Sequence, residues 1–455
     1  MDSTVSFIQS DCQCDTIFTR IFDFRGEFPY PCDMNEKDRE WIEQRVLERF
    51  LRYVRIDTTS DGHSKSSPTT PGQLELANVL VEELQQLSLP NVELDEAGFV
   101  FAQVEPNLKG PAVQPPEICF IAHLDTSDAA PGKNVDPRVH ESYDGKVVEL
   151  KEGIVLDPEE YPELRKYKGQ TIVTSDGTTL LGADDKAGLA EIMTAVEYLV
   201  GHPEIPHGTI GICFTPDEEQ GLSMQRLPID KISAKYCYTF DGAEEGTIEA
   251  ECFEGYRAVL RFLGRSIHTG VARGKLVNAV EMAARFLNLL PGAESPQATD
   301  GRYGFYFPLE ISGGIEETTL EIYLRDFEEA EVQRRAAALE SMARAVEAVF
   351  PRGKVEIKVE KQYANLRRHL QGVPDVLTTL EQAIRDTGME PEYKIIRGGT
   401  DGARLSELGV PTPNVFTGGH NFHSRQEWAA LPAMVRAVHT AVNLCRVWAE
   451  GRAKV

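Results

Sequence analysis

Short apolar runs alternate with amphipathic stretches along most of this chain, and that alternation limits what it can fold into. Residues 99–104, 117–122, 209–215 and 236–240 read as strands, the last two apolar enough to be buried. Helical stretches lie around them. Trp41, Ile42, Val46, Leu47, Phe50, Leu51 and Val54 recur at helical spacing behind Asn35, a suitable N-cap followed by acids. Residues 73–87 and 185–200 read as two further helices. This alternation implies an α/β fold, a mostly parallel sheet flanked by helices. In such sheets ligands bind beyond the carboxyl ends of the strands.

Acids and histidines stand at those ends. Five segments carry them: His123 with Asp125, Asp184 with Asp185, Asp217-Glu218-Glu219, Asp241, and His420 with His423. Carboxylate and imidazole form the ligand set of a water-activating zinc centre. Five such segments, the last nearly two hundred residues beyond the fourth, point to a metallohydrolase whose site is assembled from distant parts of the chain.

Each segment alone also has a structural reading. His123 and Asp125 share a face, so the acid is a ligand, an orienter of the imidazole, or simply structural. Asp184 and Asp185 open a helix and suit N-capping. Three adjacent acids after a buried strand repel one another unless neutralised. A general base beside a metal ligand needs that adjacency, whereas a solvated turn would also tolerate it. Asp241-Gly242 could be a turn, and spacing does not choose between His420 and His423. Arg397 heads a glycine-rich turn, 397–402, that lacks the Gly-Lys-Ser/Thr ending of a phosphate loop; its guanidinium suits a carboxylate equally well. His268 by itself reads as a surface histidine.

At 455 residues the chain is too long for one ordinary core. The formal net charge of -25 argues against nucleic acid or an anionic membrane as partner. Cys119, Cys213, Cys237 and Cys445 sit in apolar runs and read as small buried hydrophobes; Cys12 and Cys14 form no metal or disulfide pattern. Nothing resembles a bilayer span or a secretory signal, so a cytoplasmic protein is expected.

The rhythm changes near Cys252. Strand-like 256–263, helical 278–290, strand-like 319–327, a long helix at 329–350 and a strand at 355–360 fit a small α+β domain with an antiparallel sheet. The α/β rhythm then returns, with a helix at 375–387, strands at 394–397 and 414–416, and a helix at 432–447. The expected organisation is therefore a poorly ordered extension (1–33), one domain in two parts (34–251 and 363–455) and an inserted domain (252–362), which the family resemblance given below makes a catalytic domain and its lid. Met34 could be the true start of translation. A free lid edge strand is compatible with a homodimer.

From about Glu48 onward the chain resembles the peptidase T family, tripeptide aminopeptidases of the di-zinc aminoacylase/carboxypeptidase clan. The resemblance rests on His-Leu-Asp-Thr-Ser (123–127), Thr-Leu-Leu-Gly-Ala-Asp-Asp-Lys-Ala-Gly (179–188), Phe-Thr-Pro-Asp-Glu-Glu (214–219), Arg-Gly-Gly-Thr-Asp-Gly-Ala (397–403) and Phe-Thr-Gly-Gly-His-Asn-Phe-His (416–423). It implies two zinc ions bridged by Asp184, with His123 and Asp241 completing one shell and Glu219 and His423 the other. It further implies Asp125 behind His123, Glu218 as general base, His268 as oxyanion stabiliser and Arg397 as binder of the substrate carboxylate. Tripeptides are the implied substrates. A dipeptidase or N-acyl amino acid amidohydrolase on the same scaffold is the alternative, and a non-catalytic peptide-binding protein would be a different class. Two departures stand out: Thr269 follows His268 where proline is expected, and His420 stands where the family often has an aromatic residue.

Overall fold

Asn35 caps the first helix, Glu36–Tyr53, by accepting from Asp38 N, and Ile42, Val46, Phe50 and Tyr53 are buried along one stripe. The computed structural model describes residues 35–108 and 114–451. The extension expected for 1–33 and the alternative start at Met34 lie outside the described residues.

The main sheet has eight strands, in the order Glu93–Leu94, Val100–Val104, Ile210–Thr215, Ile118–His123, Tyr236–Gly242, Asn414–Phe416, Thr247–Cys252 and Glu392–Ile396. The four central strands run parallel. Antiparallel pairings flank them at Val100–Val104 and Thr247–Cys252. All six residues of Ile118–His123 are buried, which is why that run shows no polar alternation. Helices Glu36–Tyr53, Ala183–Gly201 and Leu431–Glu450 pack together over one face, on Phe120, Phe214 and Tyr238. Cys119, Cys213 and Cys237 alternate with these aromatics and point to the other face, where Met224 and Leu405 cover them. Gly188 lets helix Ala183–Gly201 lie against the sheet: a Cβ there would stand 2.0 Å from Phe240 O.

A second sheet, antiparallel throughout, has the order Phe305–Gly313, Glu317–Asp326, Glu254–Leu263 and Lys354–Tyr363. Helices Ala279–Leu287 and Glu329–Val349 cover one face and close a separate core around Phe262, Phe286, Leu339 and Val346. With only one face covered, Glu317–Asp326 mostly alternates in burial. Strand Phe305–Gly313 does not read as a strand in sequence. It is an edge strand, it shifts register between Pro308 and Glu310, and Leu309 and Ile311 are exposed.

The excursion after Asp125, rich in proline, glycine and acids, is also more ordered than its composition suggests. Arg138–His140 and Ile172–Thr174 join Trp428–Ala430 and Gly419–His420 in a third, four-stranded sheet. That sheet ties the excursion to the C-terminal segment carrying His423. Among the described residues, no helix is long and apolar enough to cross a membrane.

Candidate active site

The central strands deliver their acids and imidazoles to one edge. His123 is the last residue of its strand, Asp241 the last but one of the neighbouring strand, and Glu218 and Glu219 follow strand Ile210–Thr215. Asp184 enters from the start of helix Ala183–Gly201, behind Gly182 in a left-handed conformation (φ 82°). His423 comes from the far end of the chain, also left-handed (φ 61°).

Asp184 is the centre of the cluster. Its Oδ1 lies 2.8 Å from His123 Nε2 and its Oδ2 3.1 Å from His423 Nε2. Asp241 Oδ1 lies 3.6 Å from His123 Nε2, and Glu219 Oε1 2.8 Å from His423 Nε2. Thus one carboxylate spans two imidazoles, and each imidazole has a second carboxylate of its own. Groups able to hold an ion, with donor atoms within 4.8 Å of one another, are His123–Asp184–Glu219 and His123–Asp185–Asp241. The second brings in Asp185. Its two oxygens, however, accept from His123 N (3.0 Å) and Gly188 N (3.2 Å), so backbone already engages both.

The donor set fits a divalent cation. His123 Nδ1 is 2.9 Å from the Asp125 carbonyl, which can only accept, so Nδ1 carries a proton and Nε2 faces the acids. Buried Glu219 Oε1 accepts no well-aligned hydrogen bond and has His423 Nε2 as its ion-pair neighbour. Burial opposes charge on both imidazoles, yet the acids around them win. Asp125, Asp184 and Asp241 raise the His123 pKa well above its usual range, and Asp184 with Glu219 raises that of His423 to about 11.

Glu218 stands beside this cluster. Burial, reinforced by Asp401, Asp241 and Glu219 against the opposing His123, raises its carboxyl well above the ordinary range. That environment suits a group that must take and return a proton. Asp125, fully buried, holds the turn: Oδ1 accepts from Glu218 N (2.9 Å) and Oδ2 from Glu219 N (3.2 Å). Its carboxylate therefore fixes the turn after the strand, while its carbonyl orients His123.

The first acid of the triplet does something else. Asp217 is fully buried at φ 59° and accepts from Thr69 N (3.0 Å), Gln73 Nε2 (2.7 Å) and Arg226 Nη1 (2.8 Å). It anchors the turn to helix Pro71–Gln86. His420 turns away from the cluster. It stacks on Trp428 with centroids 4.0 Å apart and an interplanar angle of 9°, so the two histidines left open by spacing separate into a stacked one and a clustered one.

Arg397 and His268 do not join the cluster. The Arg397 guanidinium donates to Gly301 O (2.9 Å), Thr299 O (3.1 Å) and Thr299 Oγ1 (2.8 Å), and lies 5.3 and 5.5 Å from the ring centroids of Phe253 and Phe305. His268 is exposed in the segment after strand Glu254–Leu263, its Nδ1 accepting from Gly270 N.

Sequence spacing gives no role to two residues of the site. Glu427, nearly fully buried, accepts from Leu181 N, Gly182 N and Asp184 N. Asp401, inside the glycine-rich turn, accepts from Thr215 Oγ1 (2.7 Å) and Ser223 Oγ. The signal for both is a carboxylate that only backbone or hydroxyl groups partner, which spacing cannot reveal.

Relatives share this architecture. Residues 171–446 match peptidase family M20/M25/M40. A peptidase T of Listeria monocytogenes is 44% identical over 411 residues, covering 90% of this chain and 100% of that protein. Two solved structures have the same fold. One is aminopeptidase PepT of Bacillus cereus (21% identity, TM-score 0.67) and the other a tripeptidase of Staphylococcus aureus (22%, 0.68); each comparison covers 90% of this chain and 99% of that one. With most of the chain aligned at such identity, and with candidate metal-binding residues gathered at the strand ends, this chain belongs to peptidase family M20/M25/M40 and, within it, to the peptidase T group.

Proposed function

We propose that this chain is a zinc-dependent aminopeptidase that releases the N-terminal residue of tripeptides. The observation that carries the reading is Asp184, whose two oxygens reach histidines from opposite ends of the chain, with Glu218 held beside them by Asp125. Its relatedness to a peptidase T supports the substrate class. His123 and Asp241 would hold one zinc ion, Glu219 and His423 a second, and Asp184 both. When bound, such a pair acidifies water and polarises a carbonyl. The chain's own groups do the rest. Glu218 takes the proton of the attacking water and returns it to the leaving amine. Asp125 keeps the backbone of Glu218 and Glu219 in place while it does so.

Arg397 and His268 are the proposed contacts to the substrate carboxylate and the oxyanion. For Arg397 to act, its bonds to Thr299 and Gly301 must give way, and for His268 the inserted domain must move toward the cluster; both fit a lid that closes over a short peptide. The exposed edge at Leu309 and Ile311 supports a homodimer through that domain.

The test is release of the N-terminal residue from di-, tri- and tetrapeptides and N-acylated amino acids, with and without a chelator. Chelator-sensitive cleavage concentrated on tripeptides is expected. Preference for dipeptides or acylated substrates would overturn the substrate assignment, and cleavage insensitive to chelator would overturn the metal. Glu218→Ala should abolish turnover and keep the metal; turnover at the normal rate would remove Glu218 as the base.

A further inference from the structure

We propose that Glu427 is a positioning residue that sets where Asp184 sits between the two imidazoles, and so controls how tightly the cluster holds its cations. This rests on the reading of Asp184 as a shared ligand. Glu427 Oε2 accepts from Leu181 N (2.8 Å) and Gly182 N (2.7 Å), and Oε1 from Asp184 N (3.0 Å). Three backbone donors of one turn, from Leu181, Gly182 and Asp184, thus converge on one carboxylate that is 1% exposed. One of them is the backbone N–H of Asp184 itself. Asp184 and Asp185 depart from helical φ/ψ, so within the turn the bonds to Glu427 add to the helical bond from Lys186 N to Gly182 O (3.3 Å).

The charge of Glu427 is balanced nearby. Lys186, also 1% exposed, donates to Ile56 O (2.7 Å) and feels the fields of Asp57, Glu427 and Asp125. A carboxylate is needed because all three partners are donors and an amide has one acceptor fewer. The same short segment also carries His423, four residues earlier. The bonds from Glu427 therefore lock the turn of Asp184 to the segment of His423, across 243 residues of sequence. A shift in this lock moves Asp184 relative to both imidazoles. Groups that orient a metal ligand from behind typically change affinity by 10–100-fold when altered.

The experiment titrates metal-stripped full-length protein with Co2+, reading the visible absorption of the bound ion, for wild type, Glu427→Gln and Glu427→Asp. Gln sets an N–H against the donors of the turn, and Asp withdraws the carboxylate by one methylene. The expected result is roughly 10–100-fold weaker binding in a variant that still unfolds cooperatively, with an altered absorption band and a matching fall in kcat/KM. Wild-type affinity and band in either folded variant would overturn the proposal. Loss of fold in both variants would overturn it too, since Glu427 would then be a general support. A wild type that takes up no Co2+ would instead refute the peptidase reading, a failure visible before any variant is tested.

Discussion

Asp125→Asn isolates how much the turn after strand Ile210–Thr215 matters to catalysis. In the native site Asp125 Oδ1 accepts from Glu218 N at 2.9 Å and Oδ2 from Glu219 N at 3.2 Å. Asparagine keeps one acceptor oxygen and sets an amide N–H against the other donor. The carbonyl bond to His123 Nδ1 survives, because it is backbone. One charge-assisted bond is therefore lost and one buried donor left unpaired, about 2 kcal/mol between them. If that loss is felt when Glu218 takes its proton, kcat falls on the order of 30-fold. The assay is tripeptide turnover at saturating metal, with metal content and thermal unfolding measured on the same samples. The reasoning predicts a lower kcat with metal still bound and KM little changed. A kcat within about twofold of wild type would refute it, as would a loss of activity that merely tracks loss of fold.

Two further outcomes follow from neighbouring residues. Asp217→Ala leaves the buried donors of Thr69 and Gln73 unpaired, removes the ion pair of the half-buried Arg226 and should cost about 3 kcal/mol in urea unfolding while leaving the cation sites loaded; unchanged stability would contradict its anchoring role. His420, its pKa pushed down to about 3 by burial, is neutral in the fold but takes a proton when unfolded, so its contribution disappears as pH falls below about 6.5. His420→Phe keeps the ring against Trp428 and should reduce the loss of stability between about pH 7 and about pH 4.5 by roughly 2 kcal/mol; parallel pH profiles would contradict this.

Much of the architecture was legible from pattern alone. Strand Ile118–His123, buried throughout, and strand Tyr236–Gly242, buried except at Asp241, announce themselves as apolar runs because both faces of the sheet are covered there. Helix Glu329–Val349 is read almost to the residue because its buried stripe has helical period. Thr247–Cys252 was not legible: in a strand near the sheet's margin, Glu249 and Glu251 interrupt the apolar signal. The small sheet that supports His423 was hidden as well, since its strands are two or three residues long and the pairing that joins its two halves spans more than two hundred positions.

By itself the sequence determined the residue types at the ends of the strands, and with them the class of chemistry, because period and burial place those ends at one edge of a parallel sheet. Which acid does what was decided only in three dimensions. Asp217, Glu218 and Glu219 are adjacent in the chain, yet one anchors a turn, one stands beside the cluster and one joins it. His420 and His423 lie three residues apart, yet one stacks in the core and the other reaches Asp184. A left-handed residue or a backbone donor from a distant segment turns a side chain one way or the other. Such contacts form only once the whole chain has closed around them.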